Sequence, residues 1–435
     1  MPVVHRLLMM RQNKKETKTL EKTMLDEIPR FDMITPPKRQ HLMPLIWLLS
    51  FPEVIAHKNK LTKINMGNIK PPYLLLCNHN AFMDFKVATK ATFPHKVNYV
   101  VAIDGFWKRE WLLRLIGCIC KRKFTNDITL VRQLKRVVDR GDIAAIYPEA
   151  RYSLCGTTAV LPESLGKLAK ILKVPVVTLI CHGHHVNSPF WNLPDHKVRG
   201  TEAEMKCLFT AEQIAELDYK QIMQGIEKEF QYDDYTWQKE KGIHITYGER
   251  AKGLHKILYK CPACGAEYKM SSAGTTLRCN NCQKEWEITE LSELKAKTGE
   301  TEFSHIPDWY EWERAQVRKE VEAGTYGITC RAQVDALPNA DRYIDIGMAT
   351  FTHDMTGFTL KGEYQGEAYE VKLPAASQYS VHIEYDYLGK KTDCVDLNTI
   401  NDTLYTYPVG TDFSVTKMSL ATEELYKYYK LKNPI

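Results

Sequence analysis

Leu74-Leu75-Leu76-Cys77-Asn78-His79-Asn80-Ala81-Phe82-Met83-Asp84 decides how the first half of this chain is read. Four apolar residues fit a short buried strand, after which the chain turns polar at once. Strand ends in α/β sheets are where chemistry collects. A histidine five residues ahead of an aspartate can meet it across one tight turn or helix start. The carboxylate then holds one imidazole nitrogen protonated and leaves the other as a base near neutral pH. If a substrate hydroxyl attacks, no nucleophilic Ser or Cys is needed. His79 and Asp84 are therefore the candidate catalytic pair.

Outward from this block, further elements alternate. Residues 97–103 (VNYVVAI) and 143–147 (IAAIY) read as strands, and 174–181 (VPVVTLIC) as a fourth. Between them, Ile128, Val131, Leu134, Val137 and Val138 fall at helical spacing, with Arg132, Lys135, Arg136 and Arg140 on another face and Gly141 as the stop. Leu165, Leu168, Ala169 and Leu172 mark another helix. Strands separated by helices predict a mixed or mainly parallel α/β sheet flanked by helices.

Three more segments bear on the chemistry. Gly117-Cys118-Ile119-Cys120-Lys121-Arg122-Lys123 puts three cations after an apolar run. Tyr147-Pro148-Glu149-Ala150-Arg151-Tyr152-Ser153 follows the third strand, and Val174-Pro175-Val176-Val177 opens the fourth. Four such blocks in this order resemble the glycerolipid acyltransferase superfamily, whose best-known members acylate 1-acylglycerol-3-phosphate. The resemblance covers roughly residues 40–200. It implies that an acyl group moves from a thioester donor, acyl-CoA or acyl carrier protein, to the hydroxyl of a lysophospholipid. His79 would be the general base and Asp84 would orient it. Asn78, Arg122, Lys123, Glu149 and Arg151 would bind the acceptor, the cations taking its phosphate.

The departures from the family pattern fall on the acceptor side. Where the family has Glu-Gly-Thr-Arg-Ser, this chain has Glu149-Ala150-Arg151-Tyr152-Ser153, with its Arg one place early and Ala150 in place of a Gly. Lys123 stands where an Arg is expected, and Thr178 where a second proline is frequent. These changes leave the base alone and put the acceptor's identity in question. Another cluster, His182, His184 and His185, has no partner in sequence beyond Cys181 and reads as lining the active-site mouth rather than holding a metal.

Cys261-Pro-Ala-Cys264 and Cys279-Asn-Asn-Cys282 are two knuckles fourteen residues apart. Two thiolates from each can converge on one tetrahedral centre suited to Zn²⁺. Four protein ligands leave no open position, so residues 251–295 are expected to be a zinc ribbon holding a structural ion.

With 435 residues, 44% hydrophobic and 26% charged, the chain is long enough for two to four domains and is neither disordered nor collagen-like. No apolar run reaches the ~20 residues of a spanning helix. The N-terminus lacks a signal-peptide pattern, and the twelve cysteines are expected to be thiols or metal ligands in a cytoplasmic setting. Residues 1–200 carry 32 Lys/Arg against 15 Asp/Glu, whereas 201–435 carry 27 against 38. The basic half and the apolar stretch 42–56, with Trp47 and Phe51 as anchors, suit a peripheral position on the cytosolic face of a membrane. A buried core helix explains 42–56 equally well.

The domains expected are an N-terminal arm (1–40), an acyltransferase domain (41–245), the ribbon (251–295), and a helix followed by an antiparallel β domain with a closing helix (305–435). Residues 205–240 read as helical. In the β domain, Tyr379, Val381, Ile383, Tyr385 and Tyr387 alternate with Ser380, His382, Glu384 and Asp386, which predicts a strand with one wet face in a sandwich or partly open barrel. Two other classes compete with the enzyme. One is a zinc-ribbon nucleic-acid binder, opposed by the ribbon's thin net charge of +2 and the following domain's −8. The other is a lipid-binding relative without catalysis.

Overall fold

The computed structural model describes residues 28–390 and 392–432. Its first sheet is built from Lys60–Ile64 (β1), Leu74–Cys77 (β2), Val97–Ala102 (β3), Ile119–Lys121 (β4), Ile143–Ile146 (β5), Val176–His182 (β6) and Glu202–Phe209 (β7). The strand order is β1-β7-β6-β2-β5-β3-β4. Neighbours run parallel except β6 and β7, which are antiparallel. β2 and β5 are buried along their whole length, as continuous apolar runs in the middle of a covered sheet should be. The helix Ile128–Asp139 buries Leu134, Val137 and Val138, and Asp127 caps it by accepting from Thr129 N.

The expectation of helix from residue 205 onward fails at its start. β7 occupies Glu202–Phe209, with Ala203, Met205 and Cys207 buried and the charged residues between them facing out. Helices Ala211–Glu216, Tyr219–Glu229 and Asp234–Glu240 follow, each with a side-chain cap from Thr210, Asp218 or Asp233.

Met270–Ala273 (β8), Thr276–Cys279 (β9), Glu285–Ile288 (β10) and Leu294–Ala296 (β11) form a four-stranded antiparallel sheet around the cysteine knuckles. The C-terminal domain is one antiparallel sheet instead of a sandwich or barrel. Its strands are Gly327–Ala336 (β12), Ile344–Asp354 (β13), Gly357–Tyr364 (β14), Glu367–Pro374 (β15), His382–Glu384 (β16), Cys394–Asn398 (β17) and Thr403–Val409 (β18), in the order β15-β14-β13-β12-β18-β17-β16. The helices Ile306–Glu322 and Val415–Lys432 pack on one another, and the second closes the domain as the sequence suggests.

The expected wet face of the strand around residue 382 is not wet. Ser380 and His382 are buried. β16 lies at the sheet's edge, and the first domain reaches that edge through Lys123 and Arg151, while Arg122 reaches the ends of β12 and β18. Residues 1–27 of the expected arm lie outside the described residues. Residues 28–40 are pinned rather than loose: Phe31 is buried, Gln133 Nε2 donates to Met33 O and Ile34 O, and Arg140 donates to Pro37 O.

Candidate active site

His79 leaves the end of β2 and Asp84 sits in the first turn of the helix Met83–Ala91. Asp84 Oδ2 accepts from the backbone N–H groups of Asn80 (2.5 Å) and Ala81 (2.9 Å), which folds the turn back on the carboxylate. The same oxygen lies 3.5 Å from His79 Nδ1. The other oxygen, Oδ1, lies 2.5 Å from His184 Nδ1. Burial alone would raise the pKa of Asp84. Hydrogen bonds from His184 and then His79 outweigh it and bring the group to about 2, so Asp84 is a carboxylate at neutral pH. His184 reaches it from the turn after β6, where Gly183 adopts φ +87° and a Cβ would stand 2.6 Å from the Trp237 ring.

His79 Nδ1 is buried, and the ring lies between Tyr147 and Tyr152, with centroids at 4.2 and 4.3 Å. The side chain as a whole keeps 22% exposure. Its backbone is held at both ends by the Glu149–Ser153 segment: His79 N donates to Glu149 Oε1 (3.1 Å) and Ser153 N donates to His79 O (2.8 Å). Glu149 is fully buried and also accepts from Ala159 N (2.9 Å). Burial pushes its pKa up to about 8 despite these donors. The Tyr232 hydroxyl lies within donating distance of both Asn80 Oδ1 (3.1 Å) and Glu149 Oε2 (3.2 Å). Ala150 adopts φ +55°, a left-handed conformation that the family's glycine takes without cost.

Residues 54–182 match the protein-family model described as Acyltransferase. That segment is an acyltransferase-family domain. It contains His79, Asp84, Glu149 and Arg151, and the resemblance to glycerolipid acyltransferases stands. Among solved structures, the 1-acyl-sn-glycerophosphate (LPA) acyltransferase PlsC from Thermotoga maritima is similar at 12% identity and a TM-score of 0.32, over 43% of this chain and 78% of that one. No curated protein matches.

The residues expected to hold the acceptor are placed differently from the catalytic pair. Asn78 is fully buried and clamps β2 to β6: its Nδ2 donates to Cys181 O (2.9 Å) and its Oδ1 accepts from Cys181 N (2.8 Å). Arg122 is buried and donates to Leu337 O, Pro338 O and Thr403 Oγ1 in the C-terminal domain. Arg151 is buried too and donates to Val381 O, Ser419 Oγ and Glu423 Oε1. Lys123 lies 3.1 Å from Asp104 and within 4 Å of Glu384 and Asp396. Glu149 holds the His79 backbone, as described. Sequence spacing brought these residues near His79 but could not show that a second domain would engage them. Tyr232 carried no signal in sequence, and His184 stood only in a histidine cluster without a visible partner.

The sulfurs of Cys261 and Cys282 lie 3.8 Å apart and those of Cys264 and Cys279 3.7 Å, with all four within 4.8 Å of one another. Sulfurs about 2.3 Å from a tetrahedral ion stand about 3.8 Å apart, so the cluster is compatible with zinc. The ribbon docks on the helix Ile306–Glu322 through Trp286 against Trp309 and Trp309 Nε1 donating to Lys260 O. Its cations Lys260, Lys284 and Lys297 are paired with Glu267, Glu302 and Glu285, which leaves a poor footprint for a polyanion.

Proposed function

We propose that the protein is an O-acyltransferase that moves a fatty acyl group from acyl-CoA or acyl carrier protein to the hydroxyl of a monoacyl lipid of the lysophospholipid type. The observation that carries this reading is the His79–Asp84 geometry inside the acyltransferase-family segment. His79 Nε2 takes the proton of the acceptor hydroxyl as its oxygen attacks the thioester carbonyl. Collapse of the tetrahedral intermediate expels the thiolate, which receives that proton from His79. Asp84 keeps Nδ1–H oriented and stabilises the imidazolium between the two transfers. Zn²⁺ on Cys261, Cys264, Cys279 and Cys282 has a structural role.

A peripheral site of action, on the cytosolic face of a membrane, is part of the proposal. The helix Met43–Ala56 buries Met43, Ile46 and Val54 and turns Leu45, Leu48, Leu49 and Ile55 outward. Phe82, three residues beyond His79, and Phe93 are also exposed. Among the described residues no helix is long and apolar enough to cross a membrane. This outward apolar face supports lying on a lipid surface, close to the catalytic turn. Replacing Leu48 and Leu49 by Asp should abolish co-sedimentation with vesicles; unchanged binding would refute the surface role.

The reading is tested with labelled palmitoyl-CoA and palmitoyl-acyl carrier protein and monoacyl lipids in vesicles. It expects a labelled diacyl product from at least one donor. No product from any pairing contradicts it.

A further inference from the structure

The cations that would take a phosphate beside His79 are engaged within the protein. Arg122 and Arg151 are buried against the C-terminal domain, and Lys121 Nζ donates to Thr125 O. Lys123 faces three carboxylates, Asp104 (3.1 Å), Asp396 (3.8 Å) and Glu384 (3.9 Å). His382 completes the group, its Nε2 2.8 Å from Glu384 Oε1.

This cluster is joined to His79 by a line of packed rings. The Tyr152 ring packs on His79 and on Phe190 (5.7 Å), which in turn lies 6.0 Å from the His382 ring. Burial raises the Tyr152 hydroxyl pKa, and it feels Asp84 as well as Lys123, Glu384 and Asp104. The side chains of Asp104, Lys123 and Glu384 keep 17%, 14% and 13% exposure, so the group reaches solvent.

Two polar atoms in it are buried without a hydrogen-bond partner among the described residues: His382 Nδ1 and Asp396 Oδ2, on residues 3% and 1% exposed. With Nε2–H given to Glu384, His382 Nδ1 is an acceptor. Asp396 Oδ1 accepts from Cys394 Sγ, so the proton of a neutral Asp396 sits on Oδ2 and makes it a donor. Burial, together with the neighbouring acids, pushes Asp396 up and Glu384 up to about 7, while burial holds His382 neutral. His382, Glu384 and Asp396 also stand close enough to ligate a metal, but the Lys123 ammonium faces both carboxylates and takes a cation's place.

A phosphate monoester placed here would meet a lysine already facing three acids and the lone pair of His382 instead of free cations. An uncharged hydroxyl donates to His382 Nδ1 and accepts from Asp396 Oδ2. We infer that the acceptor carries an uncharged, hydroxyl-bearing head group, of the glycerol or sugar kind, and that Asp396, His382 and Glu384 read it. This rests on the acyl-transfer reading above and exchanges its lysophospholipid acceptor for an uncharged monoacyl lipid.

The test uses the full chain with labelled palmitoyl-CoA and palmitoyl-acyl carrier protein as donors. Acceptors are 1-oleoylglycerol, a glucosyl monooleoylglycerol and 1-oleoylglycerol-3-phosphate in phosphatidylcholine vesicles. Wild type should use an uncharged acceptor with a kcat/KM at least about tenfold above the phosphate, the size of one hydrogen bond to a charged group. Glu384→Gln with Asp396→Asn removes two of the three carboxylates that face Lys123, leaving Asp104, and should shift that ratio about tenfold toward the phosphate, a gain that misfolding cannot produce. The single Glu384→Gln variant, at the exposed end of the cluster, should shift it in the same direction. A wild-type preference for the phosphate overturns the inference and leaves acyl transfer standing. No transfer to any acceptor overturns the acyl-transfer reading itself. An unchanged ratio in folded variants removes the cluster from recognition.

Discussion

His184 Nδ1 lies 2.5 Å from Asp84 Oδ1, closer to that carboxylate than His79 Nδ1 at 3.5 Å. Asp84 therefore joins two imidazoles, one exposed toward solvent and one buried. The second histidine fixes the carboxylate's plane and so the direction from which Oδ2 meets His79. Replacing it by Phe should lower kcat about 10- to 100-fold, the range for partners that orient a functional ligand, with KM for the acceptor little changed. His184→Gln, which can still donate to Oδ1, should recover part of the loss. Wild-type kcat in His184→Phe would exclude this role.

Acid should weaken the fold through Asp84 and Glu423. Burial raises both, but His184 and His79 hold Asp84 at about 2, and Arg151 and Arg314 hold Glu423 at about 2. A depressed folded pKa adds stability that is full above the unfolded value, near 4, and disappears as pH falls through the folded value. The two together should amount to a few kcal/mol. Glu149 acts in the opposite sense: its folded value, about 8, lies above the unfolded 4.5, so rising pH across that window weakens the fold. Thermal unfolding from pH 2 to 9 should show a Tm maximum near the acid end of the neutral range. A Tm that is flat between pH 5 and 2 would contradict the Asp84 and Glu423 assignments.

Arg151 tests whether the altered Glu149–Ser153 segment binds substrate or holds domains together. Its guanidinium donates to Glu423, which also accepts from Arg314 (2.6 Å) and Ser380 (2.8 Å). Arg151→Ala leaves a buried carboxylate short of one partner and should cost about 3 kcal/mol of stability. KM for the acceptor should stay close to wild type in protein that remains folded. A large KM increase with an unchanged Tm would return Arg151 to substrate binding.

Metal removal should act on stability before chemistry, since the cysteine cluster belongs to the ribbon and the helix Ile306–Glu322 leans on it. Purified protein should contain one zinc per chain. A chelator or Cys261→Ser should lower Tm by several degrees. Unchanged metal content and Tm in Cys261→Ser would remove the structural ion.

The turn that joins His79 to Asp84 was legible because its residues are consecutive: strand, polar turn and helix start lie within Leu74–Asp84, and local hydrogen bonds shape them. The convergence of Cys261, Cys264, Cys279 and Cys282 was legible because two Cys-x2-Cys knuckles turn their thiols toward one centre. β7 was missed because its outward positions are charged and its inward ones include Ala203 and Cys207, an alternation easily read as a solvated helix. Ser380 and His382 were read as wet because period-2 patterning shows which residues are polar, not which domain covers them. The same blindness made Arg122, Lys123 and Arg151 look free: their partners at residues 337–338, 384, 396, 403 and 419–423 lie more than two hundred positions away.

The central claim is that His79 is the base for acyl transfer. The most direct test compares wild type and His79→Ala for labelled acyl transfer to the acceptor that wild type uses best, with Tm and zinc content measured on both. The account predicts a loss of about 10²- to 10⁴-fold in kcat with Tm and zinc unchanged. Transfer at the wild-type rate by folded His79→Ala protein would contradict it.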